Sequence, residues 1–456
     1  MAVLVGVGVA ASQADRRRHV SLIVRSETVV TMDAARRILS PGAIAIDGDA
    51  IVAIDAADTL NRGFVGGEVL DLGSDVVLPG LVNTHGHVPM VLFRGLADDL
   101  ALMDWLEHYI FPAEAKTVTR TFVRTGGRLG ILEMIRSGTT TFADMYYFEE
   151  ELAEVARAAG IRSVLGQSVI AFPAPDAATP AEALARATSF VEAWKDDPLV
   201  TPAVAPHSMY TLDEVSLTAA RDLARRHGVP VLIHLAETKE EVEIARERYA
   251  MSPAEYLESI GFWGPGVLAA HGVWLTPSDI EILASRQVAV SHNPESNMKL
   301  ASGIAPVPGL LAAGVVVGLG TDGAASNNDL DMFEAMREAA LLHKVATGDP
   351  RVVPAPQALA MATIDGARAL GLDDRVGSLE VGKRADLISV STRGARQTPL
   401  YEPVSHLVYV ARGHDVRTSI VNGRMLMRDG VVLTLDEATV VAEAREMMTA
   451  VRAAIH

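Results

Sequence analysis

Through the middle of the chain, short apolar runs alternate with longer stretches whose apolar residues recur every three to four positions. The runs fall at 76–82, 139–142, 162–169, 200–205, 229–235, 267–270, 287–291 and 315–319. Short segments of this kind, rich in Val, Leu, Ile, Ala and Thr, predict strands, and the unbroken apolar run at 76–82 predicts one buried on both faces, as in parallel sheets. The stretches between them, for example 123–136, 149–159, 180–194, 212–226 and 329–342, predict amphipathic helices. Eight such units in one run predict an α/β fold of the (β/α)8 TIM-barrel type, with an open doubly wound sheet as the other arrangement this alternation permits.

On either side the pattern changes. Residues 20–75 alternate short β-rich runs with turns, Asp47-Gly48 among them. Similar material returns at 386–433, with turns at Asn422-Gly423 and Asp429-Gly430. A small composite β-sandwich domain, 20–75 plus 377–456, is therefore expected beside a barrel of 76–376, with an amphipathic helix from 437 to about 455 as the last element. Residues 1–19 are expected to form a loose, disordered extension. Gly6-Val7-Gly8-Val9-Ala10-Ala11 matches a dinucleotide fingerprint, but the next strand-like run follows too soon for a crossover helix, and no acidic residue stands at the required distance.

Composition removes several function classes. Lys+Arg 40 against Asp+Glu 57 gives a net charge of −17, which argues against nucleic acid or an anionic membrane as partner. With no cysteine, disulfides, thiolate ligands and a cysteine nucleophile are excluded, and so are the zinc deaminases that use His/Cys/Cys. No apolar run reaches the ~18 residues of a membrane span. The apolar start precedes its arginines, the wrong order for a secretory signal, so a cytoplasmic location is expected.

In a (β/α)8 barrel the chemistry sits where strands end. The first predicted strand ends at His85-Gly86-His87, the fourth is followed by His207, and the fifth ends in His234-Leu235-Ala236-Glu237. The sixth ends at His271, the seventh at His292 and the eighth at Asp322. Six of the 13 histidines fall at these points, which core packing would not arrange strand after strand. His85, His87, His234 and Asp322 offer three nitrogens and one oxygen. That set suits a single catalytic Zn2+ with one position open, and Fe2+, Mn2+ or Co2+ fit the same donors. Two-metal sites of this kind use a lysine after the fourth strand; 201–209 contains none, so one divalent metal per subunit is expected. Such an ion lowers the pKa of bound water towards about 7. Glu237 is placed to shuttle its proton, His271 to orient the nucleophile or stabilise charge, and Asp322 to hold a proton as well as ligate.

The segments P-G-L-V-N-T-H-G-H at 79–87, H-L-A-E at 234–237, S-H-N-P-E-S-N at 291–297 and G-T-D-G-A-A-S-N-N at 320–328 resemble the amidohydrolase superfamily. More narrowly they resemble its 5′-methylthioadenosine/S-adenosylhomocysteine deaminases. The resemblance covers about residues 20–445, including G-S-L-E-V-G-K-R-A-D at 377–386. It implies hydrolytic deamination of an adenine nucleoside at C6, a homo-oligomeric assembly, and the same ligand set and acid/base residue. It also implies that Glu114 binds the ribose hydroxyls, that His207 contacts the purine and that Trp105 lines the nucleoside pocket. A carboxylate accepts two hydrogen bonds from a diol, and an imidazole donates to a ring nitrogen.

In members that accept S-adenosylhomocysteine, arginines after the third strand hold its amino-acid carboxylate. Here the matching position is Gln167, and 170–185 contains no arginine. A neutral amide cannot form the bidentate clamp. Methylthioadenosine, adenosine or 5′-deoxyadenosine is therefore expected as substrate, unless Arg94 or Arg162 brings the charge from elsewhere. Two other readings stay open. One is a hydrolytic deaminase or dechlorinase of another N-heteroaromatic ring (guanine, pterin, triazine), for which Glu114 would matter little. The other is a catalytically silent scaffold, which would lack ligands.

Overall fold

A computed structural model describes residues 17–455. The fingerprint at 6–11 and residues 1–16 of the expected extension lie outside the described residues, and Arg18 already opens the strand Arg18–Ser26. Eight parallel strands follow one another around a nearly closed barrel: Leu81–Asn83, Thr139–Tyr146, Arg162–Val169, Val200–Pro206, Val231–Leu235, Val267–His271, Ala289–His292 and Val317–Leu319. The Thr84 N–H donates to the Leu319 carbonyl at 2.8 Å, joining the eighth strand to the first. This closure rules out the open-sheet alternative. The strands are buried on both faces because one face fills the barrel and the other meets the helices.

Helix starts follow local chemistry. Thr119, Thr179, Asp213 and Thr238 each accept a backbone N–H from the first turn of the helix they precede, satisfying a donor that has no intrahelical partner.

The first apolar run divides differently from the expectation. Val76–Pro79 pairs with Leu387–Val390 and Thr28–Val30 in a separate seven-stranded sheet, and the barrel begins only at Leu81. The cause is at the joint. Pro79 has no N–H to continue a ladder, and a Cβ on Gly80 would stand 2.0 Å from Thr140 Oγ1. The chain passes from one sheet to the next through a point that admits no side chain.

The seven-stranded sheet contains strands from both ends of the chain, and a four-stranded sheet of Arg18–Ser26, Gly42–Asp47, Ala50–Ala56 and Phe64–Asp71 lies beside it. Val24, Val29, Ile44, Val77, Leu387 and Ile420 share one apolar core between the two sheets. Arg162, at the start of the third barrel strand, ties barrel to sheet. Its guanidinium, fully buried, meets Asp386 through Nε at 2.9 Å and Nη2 at 3.2 Å. The helix Glu437–Ile455 lies against Arg120–Arg136, with Arg128 bonded to Glu443. No helix among the described residues is long and apolar enough to cross a membrane.

Candidate active site

His85 and His87 leave the end of the first barrel strand with their ring centroids 4.9 Å apart, and the His234 ring stands 5.1 Å from that of His85. One nitrogen from each of these three histidines lies within 4.8 Å of the others, and the same holds for the group His85, His271 and Asp322. Asp322 Oδ1 is 3.4 Å from His85 Nε2 and 3.3 Å from His87 Nε2.

The ring orientations are set from behind. His87 Nδ1 donates to the Met145 carbonyl at 2.7 Å and His234 Nδ1 to the His207 carbonyl at 2.9 Å. An imidazole held this way presents its Nε2 lone pair to the site. His85 Nε2 is buried with no hydrogen-bond partner, a costly arrangement unless an ion takes the lone pair. Burial lowers His85 to about 4, keeping it a neutral ligand. Burial also opposes the charge on Asp322, but His85 and His87 outweigh it and hold the carboxyl well below its ordinary range. Against the pull of burial, Asp322 raises His87 to about 9. These residues fit one divalent ion of the borderline class.

Three residues here carry left-handed backbone: His271 (φ 74°), Asp322 (φ 63°) and Ala236 (φ 48°), next to Glu237. Side chains other than glycine avoid this region, and such strain gathers at functional sites.

Around the cluster stands a hydrogen-bonded ring. Asp322 Oδ2 accepts from Ser296 at 2.7 Å and Ser326 at 3.1 Å. His271 Nδ1 meets Asn297 Oδ1 at 2.9 Å, which leaves its Nε2 facing Glu237 Oε2 at 3.7 Å. The Glu241 carboxylate accepts the N–H groups of Ala236 and Glu237 at 2.9 and 3.0 Å, fixing the backbone that carries Glu237. Burial first, and the charge of Asp322 after it, raise the Glu237 carboxyl above its ordinary range, with His271 opposing.

His87, His234, Glu237, His271 and Asp322 line one cavity, with His85 buried behind them. Trp105, Glu114 and His207 all line it. Glu114 is buried, accepts from the Tyr146 hydroxyl at 2.7 Å and lies 3.5 Å from that of Tyr147. Burial raises its carboxyl to about 7, while the Tyr146 hydroxyl pulls the other way. Burial lowers His207 to about 3, so it meets a substrate as a neutral ring. Met90, Leu102, Leu106, Ile110, Phe111 and Leu300 complete an apolar wall.

Four expected participants stand elsewhere. Gln167 is fully buried away from the cavity, its amide donating to Asp176 at 2.7 Å, while Ser168 lines the wall. A one-residue offset on a strand moves a side chain to the opposite face. Arg162 lies at the other end of the barrel, bound to Asp386, and Arg94 pairs with Glu133. His292 ends its strand but turns to His343, their Nε2 atoms 3.1 Å apart. Tyr146 and Tyr147 were missed because the second strand runs four residues past its predicted end, to Tyr146. The rule that strand ends carry the site would have found them on the longer strand.

A model of the amidohydrolase family matches residues 76–426. The 5-methylthioadenosine/S-adenosylhomocysteine deaminase of Syntrophobacter fumaroxidans is 51% identical over 424 residues, 93% of this chain and 97% of that protein. The 5′-deoxyadenosine deaminase of Methanosarcina barkeri is 48% identical over 443 residues, 95% of this chain and 99% of that protein. Among solved structures, an adenosine deaminase from Xanthomonas campestris with bound zinc superposes with a TM-score of 0.94 at 38% identity, covering 96% of this chain and 100% of that one.

Proposed function

The chain belongs to the amidohydrolase family, and from that premise we propose that it hydrolytically deaminates an adenine nucleoside at C6, releasing ammonia and the inosine analogue. The observation that carries this reading is one cavity lined by His87, His234, Asp322 and Glu237, with His85 buried against them, and by a buried carboxylate, Glu114. His85, His87, His234 and Asp322 would hold one divalent ion, for which we infer zinc, and that ion would supply a water activated near neutral pH. Glu237 moves a proton to the purine nitrogen beside C6 and then to the departing amino group, so that it leaves as ammonia. His271, anchored through Nδ1 on Asn297, directs Nε2 at the developing charge. Glu114 accepts the two ribose hydroxyls while Tyr146 holds its orientation.

The 5′ substituent is neutral on this reading. Among the described residues lining the cavity there is no Arg or Lys, and a buried α-carboxylate without a cation is costly. Methylthioadenosine, 5′-deoxyadenosine and adenosine are therefore favoured over S-adenosylhomocysteine. An assay of ammonia release on these four compounds and guanine, with metal content measured on the same sample, tests it. Turnover of the three neutral nucleosides is expected; metal-replete protein that leaves all adenine nucleosides untouched overturns it. Guanine turnover unaffected by Glu114→Gln would favour a bare-ring substrate instead.

A further inference from the structure

A second group of oxygen donors lies outside the catalytic cluster. Glu295 belongs to the short helix Pro294–Lys299 after the seventh barrel strand, while Asp329 and Glu334 flank the start of the helix Met332–Thr347 after the eighth. One carboxylate oxygen from each lies within 4.8 Å of the other two. Glu295 Oε1 is sealed from solvent and has no hydrogen-bond partner, and its other oxygen has only the Asn327 amide at 3.5 Å.

Two basic side chains on the same helices have other partners. Lys299 is taken by Asp98 at 2.5 Å and by Asn328, and Arg337 lies against Glu338 at 3.3 Å. Asp331 and Glu338 add further negative charge. Burial and this crowding push the Glu295 carboxyl well above its ordinary range and Asp329 to about 6. Carboxylates so placed take up either a proton or a cation, and the unpartnered, sealed Glu295 Oε1 beside the other two carboxylates is where a cation would bind.

We propose that Glu295, Asp329 and Glu334 hold a hard divalent cation of the calcium type, separate from the catalytic ion. Three anionic oxygens with no nitrogen or sulfur donor select calcium-class ions over zinc. Calcium–oxygen distances of about 2.3–2.6 Å place opposite ligands up to about 5 Å apart, whereas magnesium's octahedron brings them to about 4.2 Å. The exposed side of Glu334 leaves room for water to complete the coordination. The ion joins two loops that serve the catalytic centre. Ser296 and Asn297, beside Glu295, hold Asp322 and His271. Asn327, two residues before Asp329, bonds the Thr321 carbonyl.

The test uses the full chain with its catalytic metal loaded, dialysed free of other ions and titrated calorimetrically with calcium chloride alone. One calcium per chain is expected, with Tm rising as calcium is added. Glu295→Gln and Asp329→Asn should each weaken binding about tenfold or more, while their melting curves without calcium show that they fold. Wild-type protein that binds no calcium at about 1 mM overturns the proposal, as do variants that bind it as the wild type does. Calcium that enters only by displacing the catalytic metal, read as a fall in its content, overturns it as well.

Discussion

Glu114 sets binding against stability within one side chain. Burial raises its carboxyl to about 7 from an ordinary 4.5. Between these values the folded protein holds a proton that the unfolded chain has released. This contribution to stability is full below 4.5 and is lost as pH rises through about 7, leaving a cost of about 3 kcal/mol at higher pH. Only the ionised form accepts both ribose hydroxyls. We therefore expect kcat/KM for nucleosides to fall as pH drops below about 7, and Glu114→Gln to raise stability at pH 8 while removing most nucleoside activity. Melting curves and rates at pH 6 and 8 check both. Glu237→Gln should keep its metal, since Glu237 is not among the ligands, and lose about 10²–10⁴-fold in turnover. Near-normal turnover with full metal content would reject its role. Ser296 and Ser326 both donate to Asp322 Oδ2. Replacing both by alanine should lower kcat more than it raises KM, with partial recovery when Thr replaces Ser296.

At the scale of elements, strand position was legible in the sequence because short segments rich in Val, Leu, Ala and Thr stand between longer stretches of helical period. Strands such as Arg162–Val169 and helices such as Glu149–Ala159 and Pro180–Trp194 stand where the pattern places them. The same reasoning located the polar residues at strand ends. It failed where two sheets use identical chemistry: 76–82 reads as one run because Val76–Pro79 and Leu81–Asn83 are equally buried, and the missing N–H of Pro79 together with the contact of Gly80 with Thr140 separates them. Gly80→Ala should cost about 2–4 kcal/mol in denaturant unfolding, and tolerance of that change would show that Thr140 can move aside. The sequence was silent on the face of Gln167, where a single step of register decides the answer, and on the turn of His292 towards His343, where two neutral rings satisfy each other. Left-handed backbone at His271 and Asp322 has no signature in composition at all, since glycine would be the ordinary choice there.

For the whole molecule, Arg162 and Asp386 determine how strongly barrel and sandwich unfold as one body. Asp386→Ala leaves a buried guanidinium without its partner and should destabilise by about 3–5 kcal/mol, whereas a paired apolar replacement of both residues should recover much of the loss. Denaturant titration of the two variants decides this, and equal losses would argue against the pairing. Chelation should lower Tm, because the catalytic ion contributes about 4 kcal/mol at a thousandfold excess over its Kd, and adding zinc back should restore it.

The seven-stranded sheet also imposes an order on biosynthesis. Val76–Pro79 has Leu387–Val390 as a neighbour, so a strand made early must wait for a partner that leaves the ribosome some three hundred residues later, at ~5–20 residues per second. During that interval its apolar edge is open to other chains, and a holdase chaperone that shields nascent strands should raise the yield of native protein more than one that acts after release.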